Sequence, residues 1–587
     1  MMSNLPPAII FILGAILLPL LPRRFRSIGF LIFPLLAFVL LLHLQVGTTL
    51  TVPFLDYELV LCRVDRLSLA FGYIFVLISL LGGIYAFHLK DTGQQVATLL
   101  YAGSSLGVVF AGDLLTLFAF WEIMAVSSVC LIWLRRTPQS SGAGMRYLMV
   151  HMFGGAVLLA GILWHLEETG SILFNLLEDG VASYLILFGF ALNAAIPPLH
   201  AWLADAYPEG TVTGTVFLSA FTTKVAVYAL ARGFAGFEPL IWAGVIMAVY
   251  GVVFALLEND IRRLLSYHII SQVGYMVAAI GIGSEMAING ATAHALNNIL
   301  YKSLMFMGAG AVLHATGRSK LTELGGLARA MPITLVLYMI GAFSISGFPL
   351  FSGFVSKSMV ISAAEHHGAE IVVLLLSLAS IGSFASTGLK LPYFTWFGNN
   401  RSHKFTTVPR GMYLGMGLTA VCCIVIGFYP PLLHNLLPFT VDHQPYTPAH
   451  VVQTLQLLIF TGLGFWFIIK RLSIKATITL DTDWFYRRPS RLVYSLCVVS
   501  LSRLFTSAER ATSRCIRFVA RTSTNPSGYF IESIRSAKYV LLGTKQPNHK
   551  PGYKPFNPDR YRLPLGVTIL MALAIFIIII GWRLFTP

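Results

Sequence analysis

LLTLFAFWEIMAVSSVCLIWL, residues 114–134, is a continuous apolar run with a single charged side chain, Glu122, near its middle. A helix of about 20 apolar residues crosses a hydrocarbon core of about 30 Å, so this run predicts a transmembrane helix. Lysines occur in comparable apolar surroundings at Lys224, Lys302, Lys357 and Lys390. Because a charged group at the bilayer centre costs about 2.5–3.5 kcal/mol, several of them indicate a polar interior that functions in ion movement.

The composition indicates a polytopic membrane protein rather than a soluble one. Of the 587 residues, 56% are hydrophobic and 11% are charged, and the mean hydropathy is +0.75. Apolar windows of transmembrane length recur along the chain, and we predict an all-α fold with about 16 transmembrane helices. The span 331–363 is too long for one straight helix, so we expect it to be broken. The predicted spans are 4–22, 27–45, 67–88, 95–112, 113–134, 145–165, 182–200, 212–234, 239–258, 263–284, 287–314, 331–363, 370–395, 410–430, 451–472 and 563–583.

The distribution of basic residues predicts the orientation of these helices. Lys and Arg are concentrated in alternate loops, for example at Arg135 and Arg318, whereas the opposite loops hold mainly acidic residues. The positive-inside rule then places both termini on the outer side of the cell inner (plasma) membrane. The first span precedes its basic cluster and has no small-residue cleavage site, so we interpret it as an uncleaved helix. The net charge of +16 faces anionic lipid headgroups, and we expect no nucleic-acid partner.

The cysteines give no sign of a redox or metal centre. The chain has six of them, with no CxxC pair and no metal-type spacing to histidine. We therefore expect no disulfide framework, no iron–sulfur cluster or other cofactor, no metal ion and no catalytic residue.

Two predicted spans contain residues that interrupt a helix. The seventh carries Pro197 and Pro198 just before His200, and the twelfth carries Pro349 within SGFPLFSGF, residues 346–354. Proline removes a backbone donor and glycine loosens the helix, so both spans should be discontinuous at membrane depth. Broken helices of this kind line wet cavities in transporters that consist of two repeats. We therefore predict a broken-helix region in each half of the chain.

The spacing of polar residues around these breaks favours an internal duplication. Asn193 lies near the first break and Lys357 near the second, and each is followed by a lysine in the next span. The separations are 31 residues from Asn193 to Lys224 and 33 residues from Lys357 to Lys390. We interpret this near-equality as the trace of two inverted repeats.

Several motifs, in a fixed order, resemble those of one known family. They are Phe120-Trp121-Glu122, PLHAWL (198–203), DAYP (205–208), Thr223-Lys224-Val225, DIRRLLSY (260–267), SQVGY (271–275), KSLMF (302–306) and Gly347-Phe348-Pro349. Over about residues 67–430, the chain resembles the antiporter-like subunits shared by respiratory complex I, Mrp-type cation/proton antiporters and membrane-bound hydrogenases. In these motifs it is most similar to the D-type subunit of Mrp antiporters.

The resemblance implies a central relay that carries protons or monovalent cations. A carboxylate and an amine in a low-dielectric interior have mutually dependent proton affinities, which suits such a relay. His294, Asn298 and Lys302 are spaced at i, i+4 and i+8, so they share one face of their helix. The implied relay residues are Glu122, Lys224, His294, Lys302, Lys357 and Lys390.

Each relay residue also has a plainer interpretation. For Glu122 the alternative is a structural pair with a neighbouring helix. Lys302 and Lys390 are explained by snorkelling, in which a lysine near a helix end reaches the membrane surface. His294 is explained by an interior histidine whose hydrogen bonds are satisfied.

Two residues depart from the family's pattern. Asn193 stands where most such subunits have a lysine, and Asn298 stands where some have a second histidine. Since an amide carries no proton charge, the first half either conducts with Glu122 and Lys224 alone, helped by water, or conducts poorly. Four further polar residues we interpret as structural or as topology signals: His200, His268, Arg262 and Arg263.

The C-terminal part differs in character from the rest. From Asp481 to about Pro547, many arginines are interleaved with apolar residues at helical spacing, which predicts a basic amphipathic helix on the membrane surface. A proline-rich stretch, Pro547 to Pro558, leads into a last helix, Leu563 to Trp582. This order resembles the lateral helix and closing transmembrane helix of distal complex I subunits. Its two expected partners are lipid headgroups and a neighbouring subunit.

The predicted organisation has six parts. They are N-terminal transmembrane helices (1–90), a first antiporter repeat (91–235), a second antiporter repeat (236–396), C-terminal core helices (397–480), a basic amphipathic lateral segment (481–562) and a final transmembrane helix (563–587).

Three functions fit these observations. The first is ion translocation as an antiporter-like subunit of an Mrp, hydrogenase or complex-I-like assembly. The second is a proton-conducting membrane subunit of a two-component uptake system for inorganic carbon. The third is a membrane scaffold without conduction. Glutamate and lysine serve protons and sodium alike, so both ions remain candidates.

Overall fold

The computed structural model describes residues 5–399, 405–469, 481–482, 484, 489–524, 526–544 and 565–585. The proline-rich stretch Pro547 to Pro558 lies outside these residues, and the described part of the last helix begins at Leu565. The chain divides into two units, Met1–Trp484 and Phe485–Pro587. The first unit contains the hydrophobic core and all candidate relay residues.

The first unit is a bundle of apolar helices with one large buried core. Helix is found in every predicted span, and eleven described helical segments along the chain are long and apolar enough to cross a membrane, by length and composition. The all-α membrane fold is therefore confirmed. The helices of this unit are α1 (Pro7–Leu17), α2 (Arg23–His43), α3 (Arg66–Tyr85), α4 (Thr92–Phe110), α5 (Leu114–Trp133), α6 (Pro138–Thr169), α7 (Val181–Ala194), α8 (Ala201–Ala206), α9 (Gly214–Ala220), α10 (Thr222–Gly233), α11 (Pro239–Leu257), α12 (Ile261–Ile282), α13 (Glu285–Thr316), α14 (Pro332–Ser346), α15 (Ser352–His366), α16 (Glu370–Ser383), α17 (Arg410–Phe428), α18 (Pro431–His434) and α19 (Pro448–Ile468).

One small β-hairpin, which the sequence did not lead us to expect, joins α2 to α3. Strands β1 (Thr49–Phe54) and β2 (Tyr57–Arg63) pair antiparallel. Asp113 ties the hairpin to the bundle, because its buried carboxylate accepts a hydrogen bond from the Val60 amide at 2.7 Å. The same carboxylate caps α5 by accepting from the Thr116 amide at 2.7 Å. The hairpin therefore fixes the start of the helix that carries Glu122.

The two predicted breaks end their first helices in the same way. After α7, Ala195 is left-handed (φ 60°) and the Ile196 amide donates to the Ala191 carbonyl at 3.0 Å. After α14, Gly347 is left-handed (φ 73°) and the Phe348 amide donates to the Phe343 carbonyl at 3.0 Å. This pattern of a left-handed residue with a six-to-one hydrogen bond is the Schellman termination. Its occurrence at both breaks supports an internal repeat.

The equivalence of Asn193 and Lys357 is wrong. Asn193 lies in the last turn of α7, before its break, whereas Lys357 lies in α15, after the second break. The two residues therefore occupy different places in their repeats, and their similar distances to the next lysine carry no evidence of duplication. The matching helix ends carry that evidence instead.

Two further interruptions occur in helices that were expected to be continuous. The predicted span 212–234 is divided at Phe221, which separates α9 from α10. Beyond α16, the helix continues in wide π-helical turns over Phe384–Lys390 and Tyr393–Phe397. Such turns are rare and frequently lie at functional sites. Both irregularities lie beside candidate relay lysines, Lys224 and Lys390.

The second unit contains helices where the lateral segment and the last span are predicted. Along the longest of them, Leu501–Thr524, exposed apolar residues alternate with arginines at helical spacing, for example Phe505, Arg510, Ile516 and Arg517. This pattern is that of an amphipathic helix. The helices are α20 (Pro489–Tyr494), α21 (Leu501–Thr524), α22 (Pro526–Leu541) and α23 (Leu565–Phe585).

Candidate functional site

The candidate lysines and His294 lie inside the first unit. Lys224, Lys302 and His294 are fully buried, and Lys357 and Lys390 are only 4% and 3% exposed. Snorkelling therefore explains neither Lys302 nor Lys390, because a snorkelling lysine places its ammonium in water. A buried lysine is energetically costly unless polar groups surround it, so each one identifies a polar part of the interior.

Lys224 lies just after the interruption between α9 and α10. Its Nζ donates a hydrogen bond to the Ser219 carbonyl at 2.8 Å. Ser219 belongs to the last turn of α9, where carbonyls lose their partners within the helix. The interruption at Phe221 thus supplies the acceptor that allows an ammonium to be buried at this point.

Lys302 and His294 lie on the same buried face of α13. Lys302 Nζ donates to the Leu265 carbonyl of α12 at 3.1 Å. His294 Nδ1 lies 3.1 Å from Ser356 Oγ on α15. Lys302 and His294 therefore connect α13 to α12 and α15 through polar contacts inside the core.

Tyr301 and Gln272, which we did not identify as relay residues from the sequence, connect His294 to neighbouring helices by hydrogen bonds. Tyr301 OH donates to Gln272 Oε1 at 3.1 Å and lies 3.4 Å from His294 Nε2. Asn298 Nδ2 donates to the same hydroxyl at 2.9 Å, and Gln272 Nε2 donates to Ser383 Oγ at 3.3 Å. Tyr301 and Gln272 thus link α13 to α12 and α16. Gln272 belongs to the SQVGY motif, and this motif is the sequence feature that could have identified it.

Lys357 lies at the wall of a polar cavity. Its Nζ donates to Ser380 Oγ at 3.0 Å and lies 5.2 Å from the centre of the Tyr275 ring. The cavity has a volume of about 410 Å³ and is lined by Lys357 together with Glu365, His443 and other polar residues. Water fits within such a volume, so the cavity leaves room for water beside Lys357.

Lys390 occupies the π-helical turn after α16. Its Nζ donates to the carbonyls of Leu256 and Glu258, each at 2.7 Å, where α11 ends. The negative end of a helix dipole and its unpaired carbonyls favour a cation at this position. His268, which we interpreted as structural, is fully buried, and its Nε2 is 2.6 Å from Ser386 Oγ. His268 therefore connects α12 to the π-helical turn that contains Lys390.

Glu122 is only partly buried, between α5 and α6. Within the described part of the chain, no hydrogen bond reaches its buried Oε1, and no ion pair joins it to Lys224. The Nδ2 of Asn193 is likewise buried without a hydrogen-bond partner among the described residues. The structure therefore does not bring Glu122 into contact with the rest of the relay.

Arg262 is a structural residue rather than a topology signal. Its side chain is 2% exposed and donates to the carbonyl of Gly210 at 2.8 Å and to Thr215 Oγ1. Arg146 forms a bidentate ion pair with Asp205, at 2.6 and 2.9 Å. Together these arginines fix the segment between the first break and α9.

Comparison with known proteins agrees with this architecture. The family model for the transmembrane region of NADH:quinone oxidoreductase/Mrp antiporter matches residues 111–382. An uncharacterized protein of Methanocaldococcus jannaschii is 31% identical over 373 residues, which cover 60% of this chain and 77% of that protein. One of the Na(+)/H(+) antiporter subunits of Alkalihalophilus pseudofirmus is 30% identical over 433 residues, which cover 64% of this chain and only 53% of that relative.

A solved structure shows the same fold. A chain of the Mrp complex from Dietzia sp. DQ12-45-1b matches with a TM-score of 0.67 at 21% identity, over 78% of this chain and 99% of that chain. The resemblance carried by the sequence motifs is confirmed. The protein is a multi-pass membrane protein that belongs to the NADH:quinone oxidoreductase/Mrp antiporter family.

Proposed function

We propose that the protein translocates protons or a monovalent cation as an antiporter-like subunit of a multisubunit membrane complex. The observation that carries this proposal is the set of four buried lysines, Lys224, Lys302, Lys357 and Lys390, in a membrane protein whose core also holds the buried His294. Na(+)/H(+) antiporter subunits among its relatives support ion transport, and the Mrp complex supports other membrane subunits as partners.

The hydrogen-bond partners of the lysines suit a group that gains and loses a proton. Lys224, Lys302 and Lys390 donate to backbone carbonyls, and Lys357 donates to a serine hydroxyl. Among the described residues, no carboxylate lies within ion-pair distance of any of the four. A carboxylate would hold an ammonium in its charged form, whereas neutral acceptors leave both protonation states accessible.

The second half provides the clearest route to the membrane surface. From Lys357, the cavity of about 410 Å³ leads past Ser358, Glu365 and His443. His443 Nε2 lies 2.9 Å from Ser358 Oγ, so polar groups continue beyond the lysine. Lys390, at the end of α11, is the opposite end of the route. Under the positive-inside orientation, the cavity faces the outer side and Lys390 the inner side.

In the first half, the proposed relay residues are arranged differently. Glu122 lies partly exposed between α5 and α6, where another protein of the complex can reach it. Its proton reaches Lys224 through water near Asn193, since the buried amide offers hydrogen bonds but no charge of its own. This half therefore depends on Lys224 as its single buried lysine.

The lateral segment completes the proposed assembly. We propose that it lies along the inner surface of the cell membrane, in contact with anionic headgroups or a neighbouring subunit. Its arginines and exposed apolar residues support this location. Both termini of the chain then lie on the outer side.

Ion flux in proteoliposomes that contain the purified complex tests this function. Glu122→Gln and Lys224→Ala should each lower flux by about tenfold or more, as expected when a proton carrier is removed. Lys320→Ala is the matched control, because Lys320 is an exposed lysine in a loop of the same unit. Unchanged flux in both Glu122→Gln and Lys224→Ala, with complexes of normal composition, would contradict the proposal.

A further inference from the structure

Asp481 is a buried carboxylate that the relay does not use. It follows α19 in the chain, yet its side chain is only 1% exposed and lies against the first repeat. His200 Nε2 lies 3.1 Å from Asp481 Oδ1, and Tyr250 OH donates to the same oxygen at 2.7 Å. Tyr267 OH donates to Oδ2 at 2.6 Å. We refer to His200, Tyr250 and Tyr267 as the Asp481 socket.

The Asp481 socket is built around the first break. His200 is the last residue before α8, Tyr250 belongs to α11 and Tyr267 to α12. The His200 and Tyr250 rings are 4.5 Å apart in an edge-to-face arrangement, so the histidine is held in place. One carboxylate therefore connects the broken segment to two helices of the second half.

Thr482 makes a second contact with the same segment. Its Oγ1 donates to the Pro198 carbonyl at 3.3 Å, and its amide donates to Asp481 Oδ1 at 2.6 Å. Pro198 lies in the break, where carbonyls have no partner within a helix. Two consecutive residues of the C-terminal region thus bind a side chain and a carbonyl of the break.

The contacts of Asp481 with His200 and the two tyrosines favour the charged form of its carboxylate. Burial raises the pKa of the Asp481 carboxyl, but the hydrogen bond and charge of His200, together with the two tyrosines, outweigh burial and hold the pKa well below its usual range. A carboxyl with a lowered pKa contributes stability at neutral pH and loses it only as the pH falls toward that value.

We propose that Asp481 is a positioning residue for transport, which holds the broken segment of the first repeat through His200. The second break, Gly347–Phe351, has a different environment, since the cavity beside Lys357 opens next to it. Asp481 also lies four residues before the second unit begins at Phe485. The transport part of the proposal rests on the proposed function above.

Amide hydrogen exchange in the intact complex tests the positioning. Asp481→Asn keeps the size of the side chain and removes its charge. We expect it to speed exchange over residues 195–207 by about tenfold, because local opening of that segment becomes easier, and to leave residues 347–356 unchanged. Tyr267→Phe removes one hydrogen bond and should give a smaller increase in the same segment. Asp56→Asn, at an exposed turn, is the control.

A His200→Gln background shows whether Asp481 acts through His200. There, Asp481→Asn should add little further increase in exchange. Additive effects of the two substitutions would overturn the role of His200. Unchanged exchange over 195–207, or an equal rise at both breaks, would overturn the positioning role.

Ion flux tests the link to transport. Asp481→Asn should lower flux, and Asp481→Glu should restore part of it because the charge returns. Normal flux in Asp481→Asn, when Lys224→Ala abolishes it, would overturn the role of Asp481 in transport while leaving the proposed function intact. Normal flux in both Glu122→Gln and Lys224→Ala would instead contradict the proposed function itself.

Discussion

Gly155 on α6 provides the space that the carboxylate of Glu122 occupies. A Cβ atom added at Gly155 would lie 1.9 Å from Glu122 Oε1, well inside van der Waals contact. The position of the only acidic relay residue therefore depends on a glycine in the neighbouring helix. The sequence showed Glu122 as an isolated carboxylate and offered no sign of this dependence.

Gly155→Ala should impair transport without removing any titratable group. The methyl group displaces the Glu122 carboxylate, so we expect ion flux in proteoliposomes to fall by about tenfold, as for a misplaced proton carrier. Gly417→Ala is the control, because a Cβ at this helical glycine meets nothing within 4 Å. Equal flux in the two variants would show that the place of the carboxylate is unimportant.

Tyr301→Phe should disrupt the hydrogen-bond network that connects Gln272 and Asn298 to His294. The substitution leaves Gln272 Oε1 and Asn298 Nδ2 without their shared partner, and each unsatisfied buried group costs about 1–3 kcal/mol. We expect a lower melting temperature and reduced flux. Tyr393→Phe, at a partly exposed tyrosine, should change neither. Reduced stability with normal flux would identify Tyr301 as purely structural.

Arg262→Ala should destabilise the protein far more than an average surface substitution. It leaves the Gly210 carbonyl without its buried donor, so we expect a loss of about 1–3 kcal/mol in the free energy of unfolding. Thermal unfolding in detergent, compared with Arg318→Ala at an exposed position, measures the effect. A melting temperature equal to that of the control would support the topology-signal interpretation instead.

Local sequence patterns predicted the membrane fold well, because a membrane-spanning helix requires about 20 apolar residues in succession. They also identified the buried lysines and both proline-containing breaks, since a charge or a proline within an apolar run is visible without knowledge of the fold. The hairpin over residues 49–63 was missed because it is short and lies between two strong helical signals.

Contacts between distant parts of the chain could not be predicted in this way. Asp481 and His200 are 281 positions apart, and Gln272 and Tyr301 belong to different helices. The similar spacings from Asn193 to Lys224 and from Lys357 to Lys390 were misleading, because sequence distance does not record on which side of a break a residue lies. The shared helix termination at Ala195 and Gly347 also could not be predicted, because it is defined by backbone geometry and the two residues differ in type.

Ion flux through the complex that carries Lys357→Arg tests most directly whether a buried lysine carries the proton. Arginine keeps the positive charge beside Ser380 and Tyr275 but is not deprotonated in proteins. We predict that flux is lost in Lys357→Arg and normal in Lys320→Arg, with both complexes fully assembled. Normal flux in Lys357→Arg would contradict the central claim, because a fixed charge would then be sufficient where a proton carrier is proposed.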